Sequence, residues 1–277
     1  MDRMSLSEQI TYSTVLIKCI YTDGSVGTGT GFIVHLCKND KHCIPVIVTN
    51  HHVVENSIKT VFEICLRKDD GFPNDKETII VDISGNVWQH HPNSDVDLVC
   101  LPIAIILNNI KQDLFYIPLT TDLIPNKNQI AKLSAMENII MVGYPNGISD
   151  KYNHKPIIRR GITATHIKHD YQGKKTFLVD MACFPGSSGS PIFILDEGIY
   201  KNSDGYPCVG NRLLFVGILF QGPQYTAEGT LVFSDIPNVP KPATEIPMNL
   251  GEAIKAEEIL AFEQLLSQNF NKENTNG

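Results

Sequence analysis

Short apolar runs broken by turn residues dominate this chain and restrict it to a β architecture. The runs STVLIKCIY, GTGFIVHL, IPVIVTN, KTVFEICLR, TIIVDIS, VDLVCLPI and NIIMVGYP are followed by KTFLVDM, SPIFIL, LLFVGILF and GTLVFS. Each is rich in Val, Ile or Phe, and most are bounded by Gly, Pro, Asn or Asp, the pattern of strands closed by turns. Many short strands at fairly even spacing predict a sandwich or a barrel. Convincing helix is confined to AEEILAFEQLLSQNF near the end. There Ile259, Phe262, Leu266 and Phe270 form one apolar stripe, with Glu257 and Glu258 in the first turn. IPNVPKPATEIP reads as an extended connector, and polar TDLIPNKNQ (121–129) as the midpoint of the chain.

The length of 277 residues suits two β units that share one site. A formal net charge of −7 argues against a nucleic-acid partner, which selects for a basic face. No apolar run is long enough for a transmembrane helix, and MDRMSLSEQITYSTV lacks the apolar core of a signal peptide. The chain as written is therefore expected to be cytoplasmic, with no membrane partner. Its seven cysteines are scattered and include no C-x-x-C pair, so free thiols are expected.

Three stretches can carry chemistry. FPGSSGSPIF (184–193) sets two serines among glycines and prolines before a strand. Gly186 allows a tight turn, and the amides of Gly186 and Ser188 can then converge on one spot, as stabilisation of a tetrahedral oxyanion requires. A serine nucleophile needs a base, and the base an orienting carboxylate. Among the histidines, only His51 and His52 stand between an apolar strand and a second apolar pair, in VIVTNHHVV (46–54). Asp97 opens the buried-looking strand of NSDVDLVCLPI, where a charge needs a partner. Asp95 is the weaker choice. GTGTGF (27–32) is G-x-G-x-G ahead of a strand, not the phosphate cradle ahead of a helix, and reads as a tight turn.

In this order, TNHHVV, DVDLVCL and PGSSGSP resemble the chymotrypsin-fold serine proteases, above all the bacterial trypsin-like and HtrA-type domains. The separations, 45 residues from His52 to Asp97 and 91 from Asp97 to Ser188, fit as well. The resemblance implies an all-β fold of two six-stranded Greek-key barrels with a C-terminal α-helix. The first barrel would span about 10–120, the second about 130–255 and the helix about 256–270. It implies a serine endopeptidase with Ser188 as nucleophile, His52 as general base and acid, and Asp97 as orienting carboxylate. Gly186, Ser187 and Ser188 would form the oxyanion hole. Ala182, Cys183, Phe184, Leu219, Phe220, Gln221 and Gly222 would frame the substrate pocket, with Gly251 nearby and Asp180 as a structural aspartate outside it. Polypeptide is the implied substrate; no cofactor or metal is implied.

The departures from the family shape further expectations. Ser187 stands where secreted relatives carry an aspartate that receives a new N-terminus, so activation by N-terminal cleavage is not expected. Control would instead come from ordering of the loops around YPNGISDKYNHKP or from a regulatory protein partner. Ser190 replaces a glycine with another small residue. With no acidic residue in the pocket frame, a small or medium apolar residue is expected before the scissile bond. His166 and His169 are expected to face solvent rather than the pocket. The rival readings are a catalytically inactive binding module on the same fold, and a zinc enzyme using His51/His52 or His90/His91. Neighbouring residues on a strand point to opposite faces, which disfavours zinc.

Overall fold

The computed structural model describes residues 4–38, 42–85, 87–202, 205–222, 224–228 and 243–275. The run GTLVFS and most of the proline-rich connector lie outside them. The first half of the chain supplies strands β1 (Thr14–Ile20), β2 (Val26–Leu36), β3 (Ile44–Thr49), β4 (Lys59–Arg67), β5 (Pro73–Ser84), β6 (Gln89–His90), β7 (Val99–Pro102), β8 (Leu114–Phe115) and β9 (Leu119–Thr120). The second half supplies β10 (Asn138–Gly143), β11 (Ile157–Thr163), β12 (Thr176–Asp180), β13 (Pro191–Asp196), β14 (Ile199–Lys201), β15 (Pro207–Val209), β16 (Arg212–Gln221), β17 (Gln224–Glu228), β18 (Ala243–Pro247) and β19 (Leu250–Lys255).

The second half closes into a six-stranded barrel in the order β10-β11-β12-β19-β16-β13, as expected. The first half differs from the closed barrel expected over about 10–120. Its main path runs β5-β4-β1-β2-β3-β7-β6, with β8 on β4 and β9 on β2, and the two ends do not pair. One end, β6, is only two residues long, and the other, β5, carries Asp75, Lys76, Glu77 and Asp82. A short strand and a charged strand are both poor templates for closure or for pairing with another chain.

Period-two alternation explains how one strand serves two cores. Along β2, Ile33 points into the sheet interior with Ile17, Ile47, Val99 and Leu101. Its neighbours Phe32, Val34 and Leu36 point the other way. They join Val46, Val48, Leu98 and Cys100 against Phe193, Phe215 and Ile218 of the barrel. A separate core of Met141, Phe177, Val179, Ile192 and Val216 fills the barrel itself. The shared core fixes the two halves against each other.

The terminal helix starts with a 3-10 turn, Ala256–Ile259, and continues as Leu260–Thr275. Its expected stripe holds at Ile259, Phe262 and Leu266, all buried in the shared core. The Phe270 side chain lies outside the described residues. Removing a buried ring such as Phe262 costs about 3–5 kcal/mol, so the helix is part of the structure rather than an appendage.

One local expectation fails. GTGTGF is not a turn: residues 27–32 lie within β2. Its glycines make room for neighbours. A Cβ on Gly29 would sit 2.3 Å from Val53 Cγ1, and one on Gly31 2.7 Å from Ile17 Cδ1. The midpoint 121–129 lies between β9 and β10. It holds a 3-10 turn at Thr121–Leu123 and the start of a helix at Lys127–Ala131, capped by Asn126 and Gln129.

Candidate active site

His51 and His52 do not stand on a strand end but open a four-residue helical turn, His51–Val54. Asn50 precedes it in extended conformation. The turn exists because its N-terminal donors find a partner in Asp97, just ahead of β7. Asn50 Nδ2 donates to the Asp97 carbonyl at 2.9 Å, and the His51 amide points to the same oxygen at 3.4 Å. The His52 amide donates to Asp97 Oδ1 at 3.1 Å, and His52 Nδ1 lies 2.5 Å from Asp97 Oδ2. A carboxylate only accepts, so Nδ1 carries the proton and Nε2 of the neutral ring keeps its lone pair. The His52 side chain is 44% exposed, leaving its far edge open to a ligand.

The two histidines diverge. His51 turns to His90, with ring centroids 4.7 Å apart, and makes no contact with Asp97 through its ring. Asp95 is exposed, its amide held by Asn93, and is not the partner of His52. Among the described residues no set of three His, Cys, Asp or Glu side chains converges as a metal site requires. His91 is buried and points to the helix, its Nε2 3.1 Å from the Glu258 carbonyl.

Ser188 projects from the loop between β12 and β13. Gly186 and Gly189 flank it with φ of 81° and 85°, values that only glycine adopts without strain. Space forbids a side chain as well: a Cβ on Gly189 would lie 1.9 Å from the Thr30 carbonyl. The loop is tied to β2 across the interface. Thr30 N–H donates to Ser188 O at 2.9 Å, and Thr30 Oγ1 donates to Gly186 O at 3.0 Å while accepting from Tyr144 N–H at 3.0 Å. Thr49 Oγ1 donates to the Thr30 carbonyl at 2.7 Å.

The amides of Gly186 and Ser188 are free. Among the described residues neither donates to a protein acceptor, whereas Ser187 N–H donates to Phe184 O at 3.0 Å. The Pro185 carbonyl is held by Asn146 N–H at 2.6 Å. In a planar trans peptide the Gly186 N–H must then point the opposite way, out of the loop. Asn146 itself has φ of 51°. Ser187 is fully buried, and its Oγ has no hydrogen-bond partner among the described residues. Ser188 Oγ donates to the Phe220 carbonyl at 3.3 Å rather than to His52.

The pocket-frame residues gather beside this loop. Leu219 N–H donates to Ser190 O at 2.9 Å and Leu219 O accepts from Gly189 at 2.8 Å. Cys183 packs against Gly251, where a Cβ would lie 2.5 Å from Sγ, and near Gly222. Burial pushes the Cys183 thiol up to about 11, with the charge of Arg159 opposing the shift. The Gln221 side chain leaves the frame and donates to Glu252 at 2.8 Å. His166 and His169 face each other, with ring centroids 5.5 Å apart, and His166 has Lys168, Glu137 and Lys255 as charged neighbours. All seven cysteines are free, three of them buried.

Sequence reasoning missed Asn50, Thr30 and Asn146. Asn50 sits inside the quoted TNHHVV motif, which was the available signal. Thr30 and Gly186 are 156 residues apart, and no local pattern ties them together.

A His–Asp pair from one β unit and a glycine-flanked serine from a β-barrel, packed on a shared core, define the trypsin-like fold. Residues 29–198 match the family model for the trypsin-like peptidase domain, and the chain belongs to that family. Two solved structures are similar to it. The first, "HtrA-type protease AlgW with tripeptide", is 16% identical with a TM-score of 0.46, over 93% of this chain and 60% of that one. The chain thus spans about 60% of that structure's length. The second, Deg5, is 16% identical with a TM-score of 0.43, over 79% of this chain and 88% of that one. Comparison with curated proteins gives no match.

Proposed function

We propose that the chain is a serine endopeptidase that hydrolyses peptide bonds through an acyl-enzyme. The observation that carries this reading is the clamped pair: Asp97 fixes the His52 ring through Nδ1 and leaves the Nε2 lone pair as a base. In the proposed cycle Ser188 Oγ leaves the Phe220 carbonyl, gives its proton to His52 Nε2 and attacks the scissile carbonyl. The Asp97 carboxylate stabilises the imidazolium that forms. The oxyanion is received by the free amides of Gly186 and Ser188, and each such donor contributes about 10²–10³ in rate. His52 then protonates the departing amine, and water repeats the sequence to release the acid. Ser187 is buried without a carboxylate beside the nucleophile, which supports activity independent of a newly cleaved N-terminus.

A fluorophosphonate probe tests the proposal. Wild type should be labelled and Ser188→Ala should not. Absence of labelling of the wild type, or equal labelling of both, would leave the alternative, an inactive protease-like binding module. One observation favours that alternative: the Ser188 hydroxyl rests on the Phe220 carbonyl and not on the base. On the peptidase reading this is a resting rotamer, released when a ligand or a partner reorders the loop around 144–156.

A further inference from the structure

Arg159 lies on β11, directly across the ladder from the buried Met141, on the side of the strand that faces the barrel interior. Its guanidinium reaches the mouth of the barrel. Nη1 donates to the Ala182 carbonyl at 2.8 Å, and Cζ stands 4.8 Å from the centroid of the Phe184 ring. Both residues belong to the segment that leads into the Ser188 loop. Among the described residues no carboxylate lies within ion-pair distance of Arg159, although the chain holds 30 acidic residues against 23 basic ones. The Cys183 thiol feels the Arg159 charge, and burial keeps it neutral.

A half-buried cation without an anion is unfavourable unless a ligand supplies one. Of the five guanidinium N–H groups, one is used on Ala182 O. Stacking on Phe184 covers a face and leaves the edges open, the orientation in which Arg binds a carboxylate through two parallel hydrogen bonds. We propose that Arg159 is a specificity-determining residue that binds the carboxylate of a Glu or Asp side chain immediately N-terminal to the scissile bond. This rests on the peptidase reading, and it replaces the apolar preference that the pocket frame alone suggested. Arg159 was outside that frame because it comes from a different strand.

The test is cleavage profiling of a peptide library that varies the residue before the scissile bond, with Ser188→Ala as blank. Wild type should cleave after Glu or Asp at least tenfold faster than after Ala, Leu or Lys. Arg159→Gln should lower kcat/KM for the acidic peptides by roughly 30-fold or more, the loss of a hydrogen bond to a charged group. It should leave peptides with Ala or Leu within a few-fold. Arg159→Lys should fall between the two. A pair of peptide phosphonates with Glu or Ala at this position gives the same answer on wild type alone, should a variant fail to fold. Preference for apolar or basic residues, acidic preference that survives Arg159→Gln, or labelled protein that cleaves no acidic peptide overturns the proposal while the peptidase reading stands. Wild type that fluorophosphonate does not label removes both.

Discussion

Asp97 receives four contacts from three consecutive residues, Asn50, His51 and His52, so its carbonyl and carboxylate are matched with donors, although Asn50 Oδ1 is buried without a partner among the described residues. The Ser188 loop is the reverse. It is pinned at its carbonyls by Thr30 and Asn146, while the Gly186 and Ser188 amides have no acceptor among the described residues and the hydroxyl rests on a carbonyl. An unpaired buried N–H costs about 1–3 kcal/mol. The Asp97 side is thus held by paired acceptors, and the serine loop keeps two free donors that a ligand oxygen can fill. A scaffold that fixes one half and leaves the other wanting suits a site whose binding partner is itself negatively charged oxygen.

The largest expected effect breaks the matched half. His52→Ala should lower Ser188-dependent peptide cleavage by roughly 10⁴-fold or more, whereas His51→Ala should leave kcat/KM within about threefold. His51 contacts His90 and not Asp97 through its ring. If the two variants behave the other way round in a peptide assay, the assignment of the base to His52 is wrong.

Thr30→Val attacks the deficient half from a distance. It leaves the Gly186 carbonyl and the Tyr144 amide, both buried, without their shared hydroxyl. Stability should fall by about 1–3 kcal/mol, read by urea denaturation, and kcat should fall more than tenfold with little change in KM. The comparison sharpens if the low-field proton resonance of the His52 Nδ1–H stays in place. That outcome would show that the serine loop was loosened while the His–Asp pair was not.

How much of this was legible in the sequence follows the same divide. Contacts within a few residues of a motif could be read: the serine turn, and the stripe of Ile259, Phe262 and Leu266 on the helix. Contacts between distant strands could not. GTGTGF looked like a turn because its glycines suit one, but they answer to Val53 and Ile17 across the packing. The open first sheet was hidden for a similar reason. Its strand runs read like those of the barrel, and closure depends on which edges meet rather than on which residues form strands.

Asn50→Ala is a smaller perturbation of the matched half. It removes the Nδ2 bond to the Asp97 carbonyl and keeps the two contacts from His52. The expected loss is about 1 kcal/mol of stability. A several-fold drop in kcat should accompany a shift of the low-field Nδ1–H resonance, and a side chain of purely structural role would not move that resonance. Asn50→Asp, which cannot donate, should match the alanine variant. Recovery of activity by the aspartate would show that the side-chain carbonyl of Asn50, not its NH₂, matters.

The smallest effect concerns the brace between the halves. The His91 amide donates to Leu98 O at 3.0 Å, next to Asp97, and its ring stands edge-on to Phe262 with Nε2 3.9 Å from Glu258 Oε2. Burial raises the Glu258 carboxyl above its ordinary range, and the His91 charge opposes this only in part. A carboxyl raised in the folded state binds its proton more tightly there than in the unfolded chain. Stability from this group is therefore greatest below the unfolded pKa and declines as pH rises through the raised folded value. Glu258→Gln should accordingly match wild type near pH 4 and melt about 1 °C higher at pH 7, measured by thermal denaturation at both pH values. A variant that melts lower at pH 7 would reverse the ledger. Attraction between His91 and Glu258 would then outweigh burial, and charge as well as apolar packing would hold the Asp97 side to the helix.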